Sequence, residues 1–320
     1  MSILPNHLKF ATFVGASLLF ASVSATALPP LYITDGGNVD VFNGGILNQN
    51  FITNVNEASG LAVGVDGTLY VASEGDAQVY SYNPATGSFT GTFVTFYGST
   101  DPRSVQGPLG MTWGPDGQLY IADVTANNVH IYSGAGTSVT SIGGSTLGQP
   151  VNVAFNASGQ LFAVDSNGVE EYSGGQFSTV IPVQSGGGAY VLNNPSSVAF
   201  SSAGDMYVLD ISGSSSDILE FTGTNYDGEI ADFTSTSFAP SNLIVGPDNK
   251  LYVSGIDYNT SFGEVLSYNL NGTGGSVYAT GLNNPSYIAF GIPEPSTSLL
   301  ALFGLGIAVV CSSRRRRRVA

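Results

Sequence analysis

The sequence predicts an all-β protein folded as a six-bladed β-propeller. Three observations carry this: a strand-forming phrase that recurs about every 45 residues, a composition suited to strands and tight turns, and two half-units at the ends that complete one another. Of 320 residues, 42 are glycine and 11% are aromatic, while only 10% are charged. Few charges with many aromatics mark a packed chain rather than a disordered one.

The repeat is clearest on its second apolar run: Leu69-Tyr70-Val71-Ala72, Leu119-Tyr120-Ile121-Ala122, Leu161-Phe162-Ala163-Val164, Met206-Tyr207-Val208-Leu209 and Leu251-Tyr252-Val253-Ser254. A first run precedes each, at residues 61–63, 111–113, 153–155, 198–200 and 243–245. A third follows, at 79–82, 129–132, 169–172, 218–221 and 265–268, and then a weaker fourth, as at 88–96 and 228–233. Four short strands per such period is the propeller pattern. Inner strands buried on both faces explain continuous apolar runs in place of strict alternation. Asp66-Gly67, Asp116-Gly117 and Ser158-Gly159 supply the positive φ of tight hairpins.

The sixth unit is split. Residues 285–290 read as a first strand with no second strand after it. Residues 31–35 read as a second strand with no first before it, and 39–42 and 49–53 finish that unit. Pairing the two ends closes the ring and removes the open sheet edges.

These units resemble NHL repeats, through Pro108-Leu109-Gly110-Met111, Asp116-Gly117, residues 119–123 ending in Asp123, and residues 129–132. Asp35, Asp123, Asp165 and Asp210 hold the Asp that follows the second strand, while Ser73 and Gly255 depart from it. The resemblance spans residues 31–291 and implies the propeller fold; function must be read from a site.

Both ends point to export. Residues 1–27 read as a signal peptide, with His7 and Lys9 before an apolar run and Ala25-Thr26-Ala27 at the cleavage site. Residues 28–292 form the propeller. Residues 293–320 begin with Pro293-Glu294-Pro295, continue as an apolar stretch densest over 299–311, and then carry Arg314, Arg315, Arg316, Arg317 and Arg318. Thirteen apolar residues make a short membrane helix, since a full span takes about 20, and the arginines stay cytoplasmic. This tail resembles the PEP-CTERM sorting signal. The resemblance implies an exosortase as partner, passing anchorage in the inner membrane through that helix, removal of the tail, and delivery to the cell surface or exopolysaccharide matrix. An ordinary permanent anchor is the competing reading.

Charge and cysteine usage narrow the partners. Between the two ends only Arg103 and Lys250 are basic, against all the acidic residues except Glu294, a net of −20. Such a surface repels nucleic acid and anionic lipid and keeps an exported protein soluble. Cys311 is the sole cysteine and lies in the tail, so the propeller has no disulfide or thiol chemistry. His130 is its one histidine.

In a propeller the first strand of each blade lines the central channel, so the residues leading into it converge at the channel mouth. Glu57, Gln149, Asn152, Asn194, Asn242 and Asn284 are the candidate ligand-binding residues by this argument. One carboxylate with several amide oxygens suits a hard cation such as calcium; the same residue types also satisfy backbone groups at strand starts. The post-strand aspartates are expected to bond loop amides. Glu170 and Glu171, adjacent on a strand, are expected on opposite faces, and Asp101 with Arg103 as a surface ion pair. The top loops at 97–107, 182–194, 211–217 and 256–264 vary in length and mark a binding face, which a tethered tail leaving from the bottom would turn away from the membrane. Two functions follow: a surface or matrix protein that binds a polysaccharide, through tyrosines such as Tyr190 and Tyr258, or a surface protein; or an enzyme resembling the metal-dependent lactonases and lyases of propeller fold, working at the channel mouth.

Overall fold

The computed structural model describes residues 27–292, except 96, 97, 99, 100, 102, 103, 184–191, 213, 214, 224 and 234–236. Signal peptide, sorting tail, Arg103 and Tyr190 lie outside the described residues, as do those parts of the 97–107 and 182–194 loops. Among the described residues, no helix is long and apolar enough to cross a membrane.

Six antiparallel sheets of four strands form the ring. Blade 1 takes its inner strand from the C-terminal side, Pro285–Phe290, and its other three from Leu31–Asp35, Asn38–Asn43 and Ile46–Ile52. The joint is an antiparallel ladder with Leu31 opposite Phe290 and Ile33 opposite Ile288. Closure by the two ends, expected from the sequence, is thus observed. Blades 2 to 6 are each continuous in sequence, with inner strands Ala58–Val63, Pro108–Trp113, Asn152–Phe155, Pro195–Phe200 and Phe238–Val245. Neighbouring inner strands touch around the whole circle.

Burial peaks at the second strand of each blade and falls toward the outer edge, which explains the sequence pattern. The second strands are buried nearly throughout, as in Leu31–Asp35, Leu69–Ser73 and Leu161–Asp165. Outer strands such as Ile46–Ile52 and Phe89–Val94 are mostly exposed, so nothing forces them to be apolar. Aromatic side chains lock adjacent blades near the bottom: Tyr70 meets Trp113 edge-on at 5.2 Å, Tyr120 meets Phe155 at 4.9 Å, and Tyr252 meets Phe290 at 4.9 Å. Pairs of this geometry add about 0.5–1.5 kcal/mol beyond area burial.

Two expected top loops are in large part strand instead. Residues 211, 212 and 215–217 and residues 256, 257 and 262–264 belong to longer ladders, since strands Met206–Ser212 and Ser215–Thr222 pair to Ser212 and Ser215, and Lys250–Asp257 and Phe262–Asn269 pair to Asp257 and Phe262, with a turn at 258–261. The ladder bonds satisfy their backbone.

Candidate functional site: the central channel and its rim

At the second-strand ends, buried aspartates organise the approach to the channel. Asp123 accepts backbone N–H bonds from Gln106 at 2.6 Å, Gly107 at 3.1 Å, Thr125 at 3.1 Å and Ala126 at 2.9 Å. Asp165 takes the amides of Gly148, Asn167 and Gly168, Asp210 those of Asn193 and Asn194, and Asp35 those of Asn283 and Asn284. Each carboxylate therefore hangs the segment entering its own blade's inner strand, the loop-amide role expected of it. Ser73 substitutes by donating to the Asn56 carbonyl at 2.6 Å. At Gly255 the ladder of blade 6 continues upward, with Pro240 opposite Gly255; a Cβ there would lie 2.4 Å from the Ala239 carbonyl oxygen, so glycine is required.

The candidate residues divide into two groups. Glu57, Gln149, Asn194 and Asn284 are exposed on the upper rim, on blades 2, 4, 5 and 1. Glu57 and Gln149 have left-handed backbones, φ 52 and 61. Glu57 also faces Glu74, whose carboxyl is pushed up first by burial and then by the Glu57 charge. Asn152 and Asn242 are buried in the channel wall, 9% and 3% exposed. There the Asn152 Oδ1 accepts from the Val198 N–H and the Asn242 Oδ1 from the Ile288 N–H, each at 3.4 Å. The Asn242 Nδ2 donates to Ser197 Oγ at 3.2 Å, and that hydroxyl donates to the Leu243 carbonyl at 2.9 Å. These amides thus stitch blade 4 to 5, 5 to 6 and 6 to 1.

Tyr287 holds the position equivalent to Asn152 and Asn242 on blade 1. Its side chain crosses the axis and donates to the Val151 carbonyl of blade 4, diametrically opposite, at 2.9 Å. The same carbonyl accepts from Gly110 N–H at 3.0 Å. Burial, then the Glu74 charge, raises the phenol. Gly60 and Gly110 occupy the ring on blades 2 and 3. A Cβ on Gly60 would sit 1.9 Å from the Leu109 carbonyl oxygen, and one on Gly110 2.8 Å from Asn152 Cα. Tyr287 is not among the candidates drawn from the sequence. The signal was there: one large side chain among Gly60, Gly110, Asn152, Ser197 and Asn242.

Below Tyr287 the inner strands of all six blades enclose a cavity of about 490 Å³. Each inner strand is the terminal member of its sheet, so it turns one unpaired backbone edge to the axis. The described lining contains no carboxylate, imidazole, amine or thiol. Toward the bottom Phe155, Phe200 and Val245 are shared with a second cavity of about 400 Å³ among the turns.

His130 lies away from the channel, on the third strand of blade 3, 2% exposed, with Nε2 3.3 Å from Asp123 Oδ2. Burial would raise the Asp123 carboxyl, but the adjacent imidazole and the Ala126 and Gln106 amides outweigh it and hold the group below its usual range. Glu170 is buried and accepts from Thr179 Oγ1, while Glu171 accepts from Gln160 Nε2 on the exposed side, the opposite-face arrangement expected. Among the described residues, no group of three or more His, Cys, Asp or Glu side chains could hold a metal ion.

Residues 291–318 match the PEP-CTERM protein-sorting motif. This motif implies export and sorting to the cell surface by an exosortase. In fold the chain is similar to one in the crystal structure of the nidogen/laminin complex, at 14% identity and a TM-score of 0.64 over 83% of this chain and 99% of that one. It is also similar to a streptogramin B lyase, at 15% identity and 0.56 over 84% and 89%. A catalytically inactive histidine-to-alanine variant of virginiamycin B lyase from Staphylococcus aureus, with quinupristin, matches at 14% and 0.52 over 80% and 77%. These likenesses are of fold alone. No curated protein matches the sequence significantly.

Proposed function

We propose that this protein is a non-enzymatic binding and scaffold protein of the cell surface or exopolysaccharide matrix. The observation that carries the reading is the channel lining. In propeller enzymes of the lyase and lactonase kind the chemistry needs acid–base groups or a metal. Here the only titratable side chain among the described lining residues is Tyr287, and its hydroxyl is spent on Val151. The matched lyase loses activity when a histidine becomes alanine, whereas the described histidine of this chain is buried between strands. What stays accessible is a rigid rim with exposed side chains such as Tyr258, which suits recognition by loops on a fixed scaffold.

The alternative, a metal-dependent lactonase or lyase at the upper mouth, draws on one observation: Glu57 and Glu74 are close enough for the charge of one to raise the other. A cation such as calcium, with Gln149, Asn194 and Asn284 as further oxygen donors, would relieve that repulsion. The processed protein, assayed for lactone hydrolysis with and without calcium, decides between them. No turnover above background is expected. Calcium-dependent turnover lost in Glu57→Gln would overturn the binding reading.

A further inference from the structure

Another cavity, of about 280 Å³, opens beside the upper hairpin of blade 6, at its border with blade 5. It is just under the smaller end of ligand pockets, roughly 300 Å³, a scale that suits one sugar ring. Its apolar wall is aromatic: Phe233 from blade 5, and Phe238 and Tyr268 from blade 6. Phe233 meets Phe238 at 5.4 Å and Tyr268 at 6.3 Å; the two phenylalanines are buried and form a rigid floor, with Tyr268 half-buried beside them. Its polar wall carries Asp257, Asn259 and Glu264. The Asp257 Oδ1 holds the Asn259 N–H at 2.8 Å, and the Glu264 Oε1 accepts from Thr280 at 3.1 Å. These bonds fix both carboxylates while using one oxygen of each. The hairpin itself is pinned by Tyr258 N–H to the Ser237 carbonyl at 2.9 Å, and its tip presents Tyr258 and Phe262, 67% and 55% exposed.

We propose that this pocket binds a hexopyranose unit without negative charge, neutral or amino, within a polysaccharide. The half-buried Tyr268 and the exposed Tyr258 and Phe262 offer aromatic surface to the C–H face of a sugar, and fixed carboxylate and amide oxygens accept its hydroxyl or ammonium hydrogens. The described lining has no cationic group and the propeller is strongly acidic, so uronic acids, sulfated sugars and phosphates are repelled. The two exposed aromatics at the tip extend the same chemistry to a neighbouring unit of the chain.

This inference rests on the binding reading above and gives it a site. The test is a glycan array, then calorimetry on the best glycan, with the processed protein and its Asp257→Asn, Asn259→Ala and Tyr258→Ala variants. All three sites are exposed or half-buried, and melting temperatures check folding. Binding of neutral or amino glycans is expected, with at least tenfold weaker affinity in Asp257→Asn and Asn259→Ala and a smaller loss in Tyr258→Ala. Glycan binding unchanged in the first two variants overturns this pocket and leaves the binding reading standing. Retention of anionic glycans alone, or of none, overturns the sugar assignment; a surface-protein partner recovered from the same cells would then keep the scaffold reading, and lactone turnover would end it.

Discussion

Blades 1 and 3 use the same device under different conditions. In both, an aspartate at the end of the second strand collects the amides that lead into the inner strand. In blade 3 those amides lie 16 and 17 residues away; in blade 1 they lie 248 and 249 away. Closing the longer loop costs about 2 kcal/mol more in chain entropy, so blade 1 spends more for the same bonds. The charges beside the carboxylate differ as well. Asp123 faces His130, which favours its ionised form. Asp35 faces Asp40, 1% exposed, whose carboxyl is pushed up to about 6 first by burial and further by the Asp35 charge. One Asp40 oxygen accepts from the Asn50 N–H at 2.6 Å, while Oδ2 has no hydrogen-bond partner among the described residues. A clamp fixed by a favourable neighbour has thus been placed where closure is local, and an electrostatically strained one where the ends of the propeller meet.

The largest test of this contrast removes a clamp. Asp123→Ala strands the amides of residues 106, 107, 125 and 126 and leaves His130 without its acid. A loss of about 3–5 kcal/mol in urea unfolding is expected, as for other broken buried pairs. Asp35→Ala should cost less in equilibrium stability, because a charge repulsion goes with it, yet it should loosen the closing strand. Limited proteolysis should then cut first before Pro285. If both variants unfold like the parent, these aspartates are ornaments of the loops and not clamps.

Gly255 sharpens the comparison from the other side. Adding a side chain where the repeat has aspartate elsewhere drives a Cβ against the Ala239 carbonyl oxygen and the Phe238 ring. Gly255→Ala should destabilise toward the upper end of the roughly 1–3 kcal/mol seen for overpacking. A neutral result in thermal unfolding would mean that the extended ladder of blade 6 gives way easily.

Asp40→Asn should stabilise the protein at pH 8 by about 3 kcal/mol, given a rise from 3.8 to about 6 at about 1.4 kcal/mol per pH unit. The Asp40 carboxyl sits higher in the folded state than its usual 3.8, so its contribution is fully favourable below pH 4 and lost as pH rises through about 6. Asp217 shares that direction; burial, then the charges of Glu229 and Asp232, push it to about 6. Asp123 has the opposite sign, its support present at neutral pH and lost only as pH falls below the usual carboxylate range. Melting curves at pH 8 and pH 5 should therefore differ less in Asp40→Asn than in the parent. An unchanged difference would assign the pH response to Asp217 alone.

These positions also show what the sequence made legible. Second strands such as Leu119–Asp123 were readable to the residue, because burial on both faces forces an uninterrupted apolar run. Inner strands were read short: Ala58–Val63 begins three residues before its apolar part, across a register shift between Ala58 and Leu61. The stretches at 211–217 and 256–264 looked like loops because Gly, Ser, Asn and Asp interrupt their apolar runs, although the ladders extend into them. In the candidate site the residues leading into the inner strands divide between an exposed rim and the channel wall, and which of them face solvent and which stitch blades depends on inter-blade distances of a few ångströms. The pocket beside Asp257 joins residues of two blades and has no local signature at all.

Tyr287 was the least legible of these, since its partner is 136 residues away on the far side of the ring. It also yields the smallest expected effect. Tyr287→Phe removes one hydrogen bond to a carbonyl that keeps its bond from Gly110, so no acceptor is orphaned and a loss of about 1 kcal/mol is expected. The ring would still fill the space left by Gly60 and Gly110, and the upper end of the channel would stay closed. Tyr287→Ala removes the plug as well as the bond. Hydrogen exchange at the Gly110 amide should then accelerate well beyond that in Tyr287→Phe, because water gains the axis from above. Equal protection in the two variants would mean that the glycines, asparagines and serine of blades 2 to 6, and not the side chain contributed by the closing strand, seal the channel.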